Sequence, residues 1–288
     1  MPAVIYTNQA SLMAQKGLLG AQNSLALSVE RLSSGLRINR AKDDAAGLGV
    51  GENLQKQLYG VKQGINNLND AISMAQTAEG ALQAVSAMSQ RIIMLATQGA
   101  NETMSSDQRG SVTKELNALR TAINSIASRT KYTDTLIFGQ TGNTNIQVSN
   151  EANDKIAITT ASFGPMGVTA TASGGSSAGA ALDTAITSAY GAANTANFIS
   201  VQSAAAAYLT AITSQRGEIG AIQNQLEYTV SNLTEFANNL ASARSRVMDT
   251  DYASETANLT KGQILQQAAT AMLAQANQMP NVILTLLK

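Results

Sequence analysis

The sequence predicts a mainly α protein: a long antiparallel coiled coil or helix bundle with one or two small β-hairpins, its terminal helices pairing as a coiled coil. Three observations carry that prediction. Apolar residues recur at heptad spacing over long stretches in both halves of the chain. Apolar residues make up 44% of the 288 positions while aromatics make up only 4%, so Ala, Leu, Ile and Val must build the core. That palette suits close helix–helix contact better than a β-sandwich or barrel. Alternation of the strand type is confined to a short central stretch.

Taken in order, the first element is an amphipathic helix in which Leu18, Leu25 and Leu32 are spaced by seven, as are Val29 and Leu36. A second seam runs through Leu54, Leu58, Val61, Ile65, Leu68, Ile72, Ala75 and Leu82, and continues through Val85, Met88, Ile92 and Leu95. It predicts a helix of roughly 40 residues, well above the ordinary length. The polar run GANETMSSDQRG follows, where Ser105 and Gln108 have the spacing of a capping box for a third helix carrying Val112, Leu116, Leu119, Ile123 and Ile126. In the middle, Ile146/Val148 and Ile156/Ile158 alternate with period two, and Gly139–Asn143 and Asn150–Asp154 supply turn residues. Residues 161–195 are rich in Gly, Ala, Ser and Thr and are expected to bury little, as a surface insertion. From Ile212 onward, Ile212, Ile219, Leu226, Leu233, Leu240 and Val247 keep a strict spacing of seven, with companions Ile222, Val230, Phe236 and Ala243. Near the end, Leu265, Ala269, Met272, Ala276 and Met279 step by four and three, and Pro280 is expected to stop that helix.

The absences bear on function. The chain has no His, no Cys and no Trp, and 19 basic residues balance 19 acidic ones. An imidazole base, a thiol nucleophile, a disulfide and a zinc or iron–sulfur site of the usual ligands are therefore excluded. Zero net charge argues against a nucleic-acid footprint and against polybasic membrane anchoring. No apolar stretch reaches the length of a bilayer span, and MPAVIYTNQASLMAQKG lacks the pattern of a cleaved signal peptide. No cofactor and no enzymatic activity are expected. Glu151, Asp154 and Asp183 are too few acids for a carboxylate site in the centre.

Three segments carry a family resemblance. Residues 32–48 read LSSGLRINRAKDDAAGL, residues 78–82 read AEGAL, and residues 264–288 read ILQQAATAMLAQANQMPNVILTLLK. Together they closely resemble the terminal signatures of bacterial flagellin. The resemblance implies a structural subunit that polymerises into the extracellular flagellar filament for swimming motility. A flagellar hook–filament junction protein, which shares the terminal architecture, is the alternative. It further implies residues 1–42 and 250–288 as the two halves of an inner coiled coil, 43–140 and 200–249 as a rod-like helical core, and 141–199 as a variable exposed insertion. Implied partners are other copies of the chain, an export chaperone, and cap and junction proteins, with secretion through the flagellar type III pathway. Leu18, Leu25, Leu32, Leu36, Leu265, Met272 and Met279 are the expected assembly seam. Arg31, Arg37, Arg40, Lys42, Asp43 and Asp44 are the expected charges at the joint between terminal and core segments. Arg91, Leu95 and Glu115 match the family's contacts with the Toll-like receptor for flagellin, while Ile93 and Met94 depart from that pattern. The Ser and Thr residues of 159–200 are candidates for O-linked sugars, as in some flagellins.

Overall fold

The computed structural model describes residues 8–138, 144–151, 153–158 and 177–286, with side chains from 178 to 278 in the last segment. The expected turn at Gly139–Asn143 and most of the Gly/Ser/Thr-rich run lie outside the described residues. Among the described residues there are six helices and four short strands: α1 (Gln9–Ser34), α2 (Ala45–Gly99), α3 (Ser106–Arg129), β1 (Lys131–Tyr132), β2 (Thr135–Leu136), β3 (Thr144–Gln147), β4 (Lys155–Ile158), α4 (Ser177–Gly191), α5 (Thr195–Met248) and α6 (Tyr252–Leu286). The chain forms two compact units, one of residues Met1–Leu58 and Asn238–Lys288 and the other of Tyr59–Ala237.

In the unit Tyr59–Ala237 the heptads lie where their spacing puts them. Leu68, Ala75, Leu82, Val85, Ile92 and Leu95 of α2, Leu116 and Ile123 of α3, and Ile212, Ile219 and Leu226 of α5 share one buried core. The α5 seam extends upstream of Ile212 through Phe198, Val201, Ala205 and Tyr208, in steps of three and four. Phe236, expected beside Leu233, instead faces solvent. The Ser105 hydroxyl accepts the Gln108 N–H at 3.3 Å and the Gln108 side chain accepts the Ser105 N–H at 3.0 Å, so the capping box starts α3 as its spacing predicts.

Helix α2 has 55 residues, longer than its seam suggests, and its internal glycines do not break it. Each costs about 1 kcal/mol of helix propensity, which tertiary packing outweighs. Gly64 is there for space: a Cβ at this position would overlap the Val148 carbonyl oxygen.

Both hairpins form. Lys131 and Tyr132 pair with Leu136 and Thr135 around Thr133 (φ 44°) and Asp134 (φ 65°), a two-residue loop with both centres left-handed, as a type I′ turn requires. β3 and β4 pair antiparallel with Ile146 opposite Ile156, and the alternation turns Val148 and Ile158 into the core. The stretch after residue 176 departs from the expectation that it buries little. It forms α4, which packs on α3 through Leu182, Ile186 and Ala189 and through an ion pair between Arg120 and Asp183. Leu182, Ile186 and Ala189 have helical spacing, which the surrounding small residues obscure.

Candidate assembly surface

The unit of residues Met1–Leu58 and Asn238–Lys288 is built on α1 and α6, which run antiparallel. Asn8 meets Ala276, Leu25 lies by Gly262, and Arg31 faces Glu255 at 3.6 Å. On α1 the side toward α6 carries Ser11, Ala14, Leu18, Ala21, Leu25, Ser28 and Leu32, all buried or half-buried and spaced by three and four. On α6 the matching positions are Glu255, Leu259, Gly262, Gln266, Ala269, Leu273 and Ala276. Both rows are heptad seams of an antiparallel pair. The expected α1 residues Leu18, Leu25 and Leu32 therefore sit on the seam.

On α6 the expected row is met in part: Ala269 and Ala276 lie on the seam. Leu265 and Met272 are not on the seam; they are 48% and 64% exposed. Gly262, Ala269 and Ala276 take contact positions beside Leu259, Gln266 and Leu273, while Ile264, Leu265 and Met272 are turned outward. The side chain of Met279 lies outside the described residues. Pro280 does not stop the helix, because α6 runs on to Leu286.

Large apolar side chains thus stand in solvent on both helices: Leu12, Met13, Leu19 and Val29 of α1 and Ile264, Leu265 and Met272 of α6. Met13, Leu265 and Met272 flank a groove of about 690 Å³ whose floor is Ala10, Ala14, Gly17, Gly20, Ala21 and Ala268. The groove is apolar and open. Large apolar side chains exposed in this way mark a candidate interaction surface.

The joint after α1 is held by backbone and charge. Gly35 ends α1 in the left-handed region (φ 72°), its N–H bonded to the Arg31 carbonyl at 2.9 Å. Leu36, half-buried, pairs as an isolated antiparallel bridge with Asp249. The Arg37 N–H donates to the Met248 carbonyl at 2.7 Å and its guanidinium to the Val247 carbonyl at 2.7 Å. Arg40 donates to Glu30 at 2.7 Å and Asn39 to the same oxygen at 2.8 Å. These two hydrogen bonds, Asn39 first, hold the Glu30 carboxyl below its ordinary pKa. The Asp43 carboxylate accepts the Arg40 N–H at 3.0 Å, Asp44 caps α2 by accepting the Gly47 N–H at 2.8 Å, and Lys42 is exposed. Both aspartates thus serve their own chain's backbone. Arg31 pairs with a Glu255 carboxylate that is largely buried.

Elsewhere, Arg91 donates through Nε at 2.9 Å and Nη2 at 2.7 Å to one oxygen of Glu115 on α3, and this pair is half exposed. Leu95 is 2% exposed and belongs to the core, so it is not at the surface with them.

Sequence reasoning missed Asn8, Glu255, Leu12 and Leu19. A signal existed for the last two: Leu12 and Leu19 repeat at seven in a phase of their own, as Leu265 and Met272 do. Among the described residues there is no cluster of acids able to hold a metal ion, and no helix long and apolar enough to cross a membrane.

Long paired helices with surplus apolar faces define a structural protein made for helix–helix association. Comparison with known proteins gives the family. The bacterial flagellin N-terminal helical region matches residues 5–144 and the C-terminal helical region matches residues 203–287. The chain is 36% identical to the flagellin of Bacillus subtilis, covering 98% of both chains. It is 35% identical to the flagellin of Halalkalibacterium halodurans, over 99% of this chain and all of that one. It is also 35% identical to polar flagellin F of Vibrio parahaemolyticus, over the full length of both. Among solved structures, a putative flagellar hook-associated protein from Vibrio parahaemolyticus shares the fold, at TM-score 0.60 and 14% identity over 72% of this chain and all of that one. The chain belongs to the bacterial flagellin family. It is a structural subunit of the flagellar filament and not an enzyme.

Proposed function

We propose that α1 and α6 are the part of the subunit that packs against other subunits, and that their outward apolar side chains make those contacts. The observation that carries this reading is the division of labour on α6: Gly262, Ala269 and Ala276 face α1 while Ile264, Leu265 and Met272 face solvent. A soluble monomer gains nothing from that arrangement, whereas a polymer buries the larger side chains. Contacts of a heterologous kind, repeated without closing a ring, give an open helical filament. The whole-length relatives are flagellins, and no observation favours the hook–filament junction protein.

The same account explains why the terminal helices need the polymer. Ordering a residue costs about 1–2 kcal/mol of backbone entropy, and a seam rich in Ala, Gly and Ser returns little per residue. In the free subunit the terminal segments 1–42 and 250–288 are therefore the least ordered, and addition to the filament end orders them. Negative-stain electron microscopy after seeding tests the proposal, comparing the full chain with one lacking residues 1–42 and 250–288. Filaments from the full chain alone support it. Filaments from both put assembly in the core.

Secretion by the flagellar type III pathway, a location in the extracellular filament, and contact with an export chaperone, cap and junction proteins follow as readings from family membership. Deletion of the export apparatus from the producing cell is expected to retain the chain inside. At the joint, Arg31, Arg37, Arg40, Lys42, Asp43 and Asp44 act by fixing how α1 leads into α2, with exposed Lys42 available to a neighbouring subunit. Unchanged filament yield and shape in Asp43→Ala/Asp44→Ala would count against that role. Recognition by the Toll-like receptor rests on Arg91 and Glu115. Leu95, being buried, contributes through the core beneath them.

A further inference from the structure

We infer that Asn8 sets the register of α1 against α6 by standing in for the backbone N–H that Pro280 cannot supply. In an α-helix the N–H of residue 280 would bond the carbonyl of residue 276. Proline has no N–H, yet α6 continues through this position to Leu286. The Ala276 carbonyl is left without its helical donor, and the Asn8 side chain donates to it at 2.7 Å. Ala276 is only 6% exposed, so water is a poor substitute there. The other end of the same carboxamide accepts the Ser11 N–H at 3.1 Å, which caps α1. One side chain thus satisfies an orphan donor on one helix and an orphan acceptor on the other.

The apolar seam cannot fix the alignment by itself, since Leu18, Leu25 and Leu32 repeat at seven and a slip of one heptad offers each leucine an equivalent place. The polar contacts do not survive such a slip. Asn8 would then face residue 269 or 283 in place of 276. The Ala269 carbonyl already has its own helical donor at Leu273, and the Ala276 carbonyl would be abandoned. At the far end, Arg31 and Glu255 are matched in this register only. Polar residues at a coiled-coil seam select register in this way. The inference deepens the proposed assembly, because it names what holds the two assembling helices in one alignment.

The chain has no cysteine, so introduced pairs report register cleanly. A Cβ at Gly262 would lie 3.6 Å from the Leu25 Cβ, within disulfide reach. Leu25→Cys/Gly262→Cys therefore reports the observed register, and Leu25→Cys/Ala269→Cys reports a slip of one heptad. Both are oxidised mildly in the full chain, polymerised and unpolymerised, and read by non-reducing electrophoresis. In the polymer, where both helices are ordered, the observed-register pair is expected to cross-link about tenfold faster than the slipped pair. Asn8→Asp keeps the cap but loses the donor, and should bring that ratio below about threefold. Pro280→Ala in the parent chain restores the N–H, so the Ala276 carbonyl no longer needs Asn8, and this change should lower the ratio as well. A ratio unmoved by Asn8→Asp, or unmoved by Pro280→Ala, overturns the inference. Polymer yield, measured by sedimentation on the same samples, reports the assembly proposal separately.

Discussion

Replacing Leu265 and Met272 together by alanine tests whether the outward face of α6 drives polymerisation. Both side chains stand largely in solvent, at 48% and 64% exposure, and alanine keeps the helix propensity. The folded subunit should therefore change by less than about 0.5 kcal/mol. Full burial of a Leu or Met contributes about 1.5–3 kcal/mol, and only the exposed share remains to be gained on assembly. Removing most of each side chain should weaken subunit addition by about 1.5–2.5 kcal/mol, which is roughly a 10- to 70-fold rise in critical concentration. The assay is sedimentation of seeded polymer over a concentration series, with circular dichroism melting of the monomer alongside. A critical concentration within threefold of the parent would refute the reasoning. So would a monomer melting shift large enough to account for the loss.

Other expectations follow from local geometry. Gly64→Ala should destabilise the Tyr59–Ala237 unit by about 2–4 kcal/mol in denaturant unfolding, because its Cβ would overlap the Val148 backbone. Gly80→Ala, where a Cβ would meet nothing, should stabilise by about 0.5–1 kcal/mol in the same assay. Ser105→Ala removes the α3 cap and should cost about 0.5–2 kcal/mol of unfolding free energy. The Glu30 carboxyl is held below its ordinary value, so its contribution is full above the usual carboxylate range and is lost as pH falls through the lowered value. An acid titration of helicity should show that loss in the parent chain and not in Glu30→Gln. For receptor recognition, Arg91→Ala/Glu115→Ala is the clean surface test, and monomer-induced receptor activation should fall. Leu95→Ala would mix any such effect with a core cavity costing about 2–5 kcal/mol.

How far the structure was legible depends on what each residue pattern encodes. The α2, α3 and α5 cores follow directly from apolar spacing, because in the Tyr59–Ala237 unit the large side chains at the heptad positions such as Leu68, Leu82, Leu116, Ile212 and Leu226 are the buried ones. Near the C-terminus that equation fails. The expected row of Leu265, Ala269, Met272 and Ala276 is right at Ala269 and Ala276, but the positions between them that face α1 are Gly262, Gln266 and Leu273 rather than Leu265 and Met272. Where larger apolar residues are turned to solvent, a reading that assumes every such residue is buried in its own chain goes astray. Pro280 misleads for a related reason: the donor that compensates it is Asn8, 272 positions earlier in the chain. Leu95 reads as a surface contact by motif and as a core residue by its spacing from Ile92, and the spacing prevails. In α4, three well-spaced apolar residues are hidden by a composition that otherwise suggests no core at all.

The anchoring of β4 and α4 has a consequence for what the chain can carry. Ile158 closes β4 inside the core, and on the other side Leu182 and the Arg120–Asp183 ion pair fasten α4 to α3. The connection between them therefore starts and ends on elements held independently of its own length. A flexible insert between fixed ends costs only about 0.6 kcal/mol of closure entropy for each doubling of its length. A peptide cargo spliced between residues 158 and 177 would draw on neither the heptad seams nor the assembling helices. The two ends of the connection are in effect fixed posts, set by residues of the Tyr59–Ala237 core rather than by the sequence between them.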